Sequence, residues 1–243
     1  MLFERIFNMD KDQKSYQIAI DGPSGSGKST LAKAVSKKLG ILYLDTGAMY
    51  RVCGLKAIQC GISPKDEKNV EKMLETIDLD IRFIDGEQHI FLDQKDVSAE
   101  IRTPEVSVAA SDISSLPCVR IRMVSMQREI AGKTDVVLDG RDIGSYVFPE
   151  AKYKFFLSAD PEVRAKRRLD ELSERGIFTQ KYEEVLADIL YRDKQDANRS
   201  FAPLRKMPDA IEIDTSYNSP DETLAALLRN LPDALYASVG ERT

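Results

Sequence analysis

The chain has 243 residues, 42% of them hydrophobic, enough for one substantial core or a core with a smaller inserted unit. A formal net charge of -5, with 31% of residues charged, excludes the global basic field that would hold a polynucleotide. Cys53, Cys60 and Cys118 have neither zinc spacing nor the paired pattern of a disulfide framework, and fit a reducing, cytoplasmic setting; no apolar run approaches membrane length.

Met1 to Ser15 alternate apolar and charged side chains, lack the apolar core of a secretory signal, and are expected to be a loosely docked extension. Tyr16 to Asp21 is a β-prone run that enters a glycine-rich turn, after which Leu31, Val35 and Leu39 mark one helix face. The turn, Gly22-Pro23-Ser24-Gly25-Ser26-Gly27-Lys28-Ser29, matches G-x-x-x-x-G-K-[ST] and is followed by Thr30. Between a strand and a helix, such a loop turns successive backbone N–H groups towards the phosphates of a nucleoside triphosphate. Lys28 then supplies a charge for the β and γ phosphates, and Ser29 a hydroxyl for Mg²⁺. The motif alone does not separate kinases from switches, motors or transporters.

A second strand is predicted at Ile41 to Leu44, with further strands at Val136 to Leu138, Tyr153 to Leu157 and Ala210 to Ile213 between helical stretches. Short apolar strands alternating with helices predict a parallel sheet covered on both faces. Residues 64–133 read differently. Leu79, Ile81 and Phe83 alternate with polar residues, and Asp85-Gly86 offers a hairpin turn before His89 to Leu92. Helices are predicted at Glu105 to Ser115 and Val119 to Ala131. The expected organisation is therefore an extension over 1–15, a core over 16–63 and 134–243 with a lid near 164–182, and an inserted substrate-side unit over 64–133. His89, the one histidine, reads as an ordinary sheet residue.

Two polar groups follow predicted strands: Asp45-Thr46-Gly47-Ala48-Met49-Tyr50-Arg51 and Asp139-Gly140-Arg141-Asp142. In an open parallel sheet ligands bind at the carboxyl ends of strands. Asp45 could equally be a helix cap and Asp139 a turn former. Arg164, Arg167 and Arg168 lie at i, i+3 and i+4 on the next helix, either a cluster that stabilises a transferring phosphoryl group or a solvated basic face. Further on, Tyr182, Val185, Leu186 and Ile189 have the spacing of a buried helix face, which Arg192, Asp196 and Arg199 continue. Those charges line a polar cleft suited to an anion, or the helix emerges into solvent and they form surface pairs.

GPSGSGKST, DTGAMYR, DVSAEIRTPEVSVAAS, VVLDGRDIG, RDKQDANR and the APL at Ala202 to Leu204 together resemble the bacterial-type cytidylate kinases, within the nucleoside monophosphate kinases. The resemblance runs from about Tyr16 to about Leu231. It implies a P-loop α/β fold with a parallel five-stranded sheet flanked by helices, an inserted monophosphate-binding subdomain containing antiparallel strands, and a helical lid. It further implies ATP-dependent phosphorylation of CMP and dCMP by direct in-line transfer, with Mg²⁺. Residues 22–30 would bind ATP, and Lys28, Arg167, Arg168 and Asp142 would serve catalysis. Thr46, which replaces the serine of many relatives, would join Tyr50, Arg51, Ser111, Arg120, Arg141, Asp142, Arg192, Asp196 and Arg199 around CMP. Arg51, Arg120 and Arg199 would meet the phosphate or base edge, and Ser111, Arg192 and Asp196 the cytosine or pentose. A monomer is expected, with neither a nucleic-acid polymer nor a membrane as partner.

Overall fold

The computed structural model describes residues 15–178, 180–233 and 235. The extension expected at 1–15 lies, except for Ser15, outside the described residues. Five parallel strands form the main sheet: β1 (Gln17–Asp21), β2 (Leu42–Asp45), β6 (Val136–Gly140), β7 (Tyr153–Ser158) and β8 (Ile211–Asp214), in the order β2-β6-β1-β7-β8. β1 and β6 are buried nearly throughout, which explains why they read as continuous apolar runs. The predicted parallel sheet is present, and β6 extends two residues further than Leu138.

Helix α1 (Lys28–Leu39) packs Leu31, Ala32, Val35 and Leu39 against Ile18, Ile20 and Leu157. It stops at Gly40, which is in the left-handed conformation at φ 64°. α8 (Pro220–Leu228), capped by Ser219 and Glu222, completes the same layer through Leu227. On the opposite face Leu44, Val124, Leu138 and Ile143 form another cluster.

A second body stands on the β2 side. α2 (Thr46–Gln59) packs Met49, Val52 and Cys53 against Val70, Met73, Ile90, Ile113 and Met123. These last come from α3 (Glu67–Thr76), the antiparallel sheet β3 (Leu79–Ile84), β4 (Glu87–Leu92), β5 (Lys95–Asp96), α4 (Pro104–Ile113) and α5 (Pro117–Ala131). The predicted hairpin is therefore present, with a two-residue third strand that has no alternating pattern to announce it. His89 lies on β4 with Nδ1 2.8 Å from Asp96 Oδ2, an ordinary sheet position.

α6 (Pro161–Glu174) and α7 (Tyr182–Asn198) form an antiparallel pair closed by Ala165, Leu172, Val185 and Ile189. Arg175-Gly176 ends α6, with Gly176 at φ 73°, and Phe178 beyond it is 76% exposed.

Candidate active site

The phosphate loop leaves the carboxyl end of β1. Gly22 has φ 150°, and a Cβ there would fall 2.2 Å from the Leu157 carbonyl oxygen, so glycine is required. Gly27, at φ 85°, caps α1 and leaves that helix's first N–H groups open to an anion. Ser26 Oγ donates to the Pro23 carbonyl at 3.0 Å, and Lys28 Nζ donates to the same oxygen at 2.5 Å. Burial is the main force lowering the Lys28 ammonium well below the ordinary lysine range, with Arg141 adding to it and Asp139 opposing it. A bound polyphosphate would remove that penalty. Pro23, Ser24, Gly25 and Thr30 complete the loop and the start of its helix.

Ser29 Oγ donates to Asp139 Oδ2 at 2.8 Å, and the Tyr43 hydroxyl donates to Asp139 Oδ1 at 2.9 Å. Asp139 is a buried residue inside β6, not the turn former that the sequence left open, because two hydroxyls satisfy its oxygens. Burial, reinforced by Asp45, raises its carboxyl above the usual range. The sequence left Asp139 open between turn former and site residue, and a charged residue closing an apolar strand is the signal for the second. Asp45 does cap α2, accepting from Ala48 N at 2.9 Å, and its other oxygen pairs with Arg102 at 2.9 Å. Thr46 donates to the Asp139 carbonyl at 2.7 Å.

Facing the loop across a cavity of about 700 Å³ is a second, arginine-rich wall. Arg141 Nε donates to Asp196 Oδ2 at 2.7 Å, and Arg192 lies in the same group. Burial first, then the proximity of Arg141 and Arg51, depresses the Arg192 guanidinium to about 9. Burial likewise lowers Arg51, with Arg102, Arg141 and Arg168 adding repulsion. Like charges held this close are relieved by a multiply charged anion between them.

Deeper in the same wall, Arg120 is 1% exposed, pairs with Asp142, and donates to the Ser114 carbonyl at 3.2 Å. Arg199 Nη2 is 3.5 Å from the other Asp142 oxygen, and Arg199 Nη1 is 3.7 Å from Asp196. Helix α7 ends at Asn198, so Arg199 starts an extended segment, yet its guanidinium still turns inward. The Tyr50 ring lies 5.3 Å from the Arg120 guanidinium, and the Tyr50 hydroxyl, Ser111 Oγ, Arg120 Nε and Arg199 Nη2 complete no hydrogen bond within the protein, Arg199 Nη2 having only its longer ion pair to Asp142. All ten residues expected around CMP line this cavity.

The three arginines of α6 diverge. Arg164 is 3% exposed, makes two bonds of 3.0 and 2.6 Å to Asp193 on α7 and donates to the Ser24 carbonyl at 3.0 Å. It ties the helix pair to the phosphate loop and does not line the cavity. Arg167 does line it and donates to Thr215, whose hydroxyl reaches the Ser26 carbonyl at 3.0 Å. Arg168 also lines it, sharing Glu171 with Arg175. Arg175, which falls in the expected lid, and Arg102, not singled out from the sequence, border the same space.

The cytidylate kinase family model matches residues 18–233. A cytidylate kinase from Caldicellulosiruptor bescii is 48% identical over 88% of this chain and 95% of its own. One from Clostridioides difficile is 49% identical over 88% of this chain and 97% of its own, and one from Halalkalibacterium halodurans 46% over 88% and 96%. The profile spans the strand before the phosphate loop, the arginine wall and the last helix, and on that match the chain belongs to the cytidylate kinase family.

Proposed function

We propose that this chain transfers the γ-phosphoryl group of ATP to CMP and dCMP, yielding ADP with CDP or dCDP. The observation that carries this reading is a single cavity with a triphosphate loop on one wall and buried, anion-seeking arginines on the other. An oxygen of the acceptor phosphate attacks the γ-phosphorus, the bond to the β-γ bridging oxygen breaks, and ADP leaves with that oxygen. A phosphate monoester is largely deprotonated near neutral pH, so the step needs positioning and charge rather than a strong base.

Lys28 holds the β and γ phosphates. Arg51, Arg141 and Arg192 form the acceptor-phosphate end, a different place for Arg192 from the cytosine or pentose end that the family resemblance implied. Mutual repulsion with Arg141 and Arg51 supports that shift. Arg167 and Arg168 approach from α6 to meet charge on the transferring group. Asp142, Arg120 and Ser111 form the base end. A carboxylate fixed beside a guanidinium offers an acceptor next to donors, the complement of the cytosine amino group beside its ring acceptors. Uracil presents a carbonyl where that amino group would be, and the carboxylate disfavours it. Asp142 is thus an orienting group. Asp196 and Tyr50 border the sugar between the two ends.

Ser29 and Asp139 provide a hydroxyl and a carboxylate oxygen, hard donors of the type Mg²⁺ takes alongside phosphates and water, and they would hold the ion that comes with ATP. That ion would neutralise β and γ charge. We read residues 64–133, together with α2, as the acceptor-binding unit and the turn after α6 as the lid; their shared cluster with Met49 and Cys53 supports the first assignment. Free Cys53, Cys60 and Cys118 support a reducing, cytoplasmic setting, and one chain lining both ends of the cleft supports a monomer. The test is a coupled assay with ATP across CMP, dCMP, UMP, AMP and shikimate. The expected result is turnover of the two cytidine nucleotides well above the rest; equal or better turnover of AMP or shikimate refutes the reading.

A further inference from the structure

The last residue of β1, immediately before the phosphate loop, is a buried carboxylate that the proposed chemistry does not use. Asp21 is 6% exposed, and both of its oxygens are committed: Oδ1 accepts from Ile143 N at 2.8 Å and Oδ2 from Gly144 N at 2.7 Å. β1 and β6 are neighbours in the sheet with Asp21 level with Gly140, which brings the carboxylate to the segment that follows β6. The approach is close, since a Cβ on Gly144 would lie 3.4 Å from Asp21 Oδ2 and 3.2 Å from Lys154 Cγ.

The two N–H groups belong to the wide turn Ile143–Val147 that follows Asp142. Within it the Asp142 carbonyl accepts from Tyr146 N and Val147 N at 2.9 and 3.0 Å, so the N–H groups of Ile143 and Gly144 stand outside the turn's own bonds. An aspartate placed as Asp142 is ordinarily turns its own side chain onto such N–H groups, that of Gly144 among them. Here it does not. The oxygens of Asp142 face Arg120 and Arg199 on the base wall, and the turn is capped from Asp21, 122 residues before Ile143. One carboxylate could not serve both directions. Burying a second one costs free energy, which its two charge-assisted bonds offset in part.

We propose that Asp21 is a positioning residue: by holding the two N–H groups after Asp142 it leaves the Asp142 carboxylate turned towards Arg120, Arg199 and the acceptor base, and so sets the preference for CMP over UMP without touching either nucleotide. The proposal rests on the acceptor reading given above. Hydrogen bonds of this charge-assisted kind correspond to about ten- to a hundredfold in affinity.

The experiment is steady-state kinetics of wild type, Asp21→Asn, Asp142→Asn and the double variant, with CMP, UMP and ATP varied separately and folding followed by circular dichroism. Wild-type turnover of CMP tests the underlying reading by itself, and its absence removes the proposal with it. Given that turnover, Asp21→Asn replaces one acceptor by a donor facing an N–H group. It is expected to raise KM for CMP about ten- to a hundredfold, to lower the preference for CMP over UMP by a similar factor, and to leave KM for ATP within about threefold. The double variant is expected to be no worse towards CMP than the poorer single variant. A wild-type preference for CMP over UMP in folded Asp21→Asn, equal losses towards CMP and ATP, or multiplicative effects in the double variant overturns the proposal and leaves the acceptor reading standing. If Asp21→Asn does not fold, Asp21→Ser takes its place, and a wild-type preference for CMP over UMP in that variant overturns the proposal equally.

Discussion

Replacing Arg120 by methionine removes one half of a buried ion pair while keeping most of the side-chain volume. Arg120 and Asp142 are 1% and 5% exposed at their side chains, so the orphaned carboxylate cannot recover its hydration. Removing one partner of such a pair costs about 3–5 kcal/mol. Arg199, 3.5 Å from the second Asp142 oxygen, retains part of the compensation, which places the expected loss near the lower end, about 3 kcal/mol. For a chain of this size that is a fall in melting temperature of roughly 6–12 °C. Adding Asp142→Leu removes the stranded charge and is expected to recover at least half of the lost stability, since an apolar replacement of a whole buried pair is often neutral. Activity should behave oppositely, with the double variant as poor towards CMP as the single one. Calorimetry with a CMP assay on the same preparations separates the two effects. A single variant less than about 1 kcal/mol destabilised, or a double variant with restored CMP use, refutes this account of the pair.

Lys28→Ala is expected to lower kcat at least about a hundredfold without unfolding the protein, as measured by turnover beside circular dichroism, because its ammonium serves the phosphates and costs energy where it sits. Asp139→Asn should raise both KM for Mg-ATP and the Mg²⁺ needed for half-maximal rate, with KM for CMP unchanged. Its melting temperature should hold, since burial already disfavours the Asp139 charge. Arg199→Ala should chiefly impair use of CMP, seen as a rise in KM for CMP that exceeds any rise for ATP. Asp21 accepts from Ile143 N and Gly144 N, but burial outweighs those bonds and raises its carboxyl to about 6. The folded state therefore holds more protons than the unfolded chain between about pH 4 and pH 6. This contribution to stability is complete below about pH 4 and disappears as pH rises through about 6. Melts of wild type and Asp21→Asn across that window should show the wild type losing ground as pH rises; a constant difference contradicts the assignment.

The features legible in the sequence are those whose geometry is local. Gly22 to Ser29 are contiguous, and the spacing from Val185 through Arg192 to Asp196 follows one helical face, so both walls of the cleft could be inferred from periodicity and loop chemistry; Arg199, expected on that face, lies one residue beyond the helix. Parallel strands announced themselves through apolar runs for the same reason. Choices between distant partners were not legible. Arg164, Arg167 and Arg168 look equivalent on a helix, yet Asp193 and Ser24, far apart in sequence, draw Arg164 away from the cavity that its neighbours border. Asp139 stayed open between turn former and site residue because strand propensity argues against aspartate, and the hydroxyls of Ser29 and Tyr43 that admit it to β6 lie 110 and 96 residues away. Arg102 had no local pattern at all; only the packing of the 64–133 unit beside β2 and α2 brings it to Asp45. The family resemblance supplied most of the acceptor residues, which come from elements far apart in sequence and line one cavity.

The central claim is that both walls of the cavity act in one transfer. Incubating the protein with γ-labelled ATP and CMP, and following label into CDP and inorganic phosphate, tests it most directly. One labelled CDP for each ADP formed, with little free phosphate, is the expected result. ADP and free phosphate without CDP would contradict it and mark the chain as a nucleotide hydrolase that switches rather than a kinase.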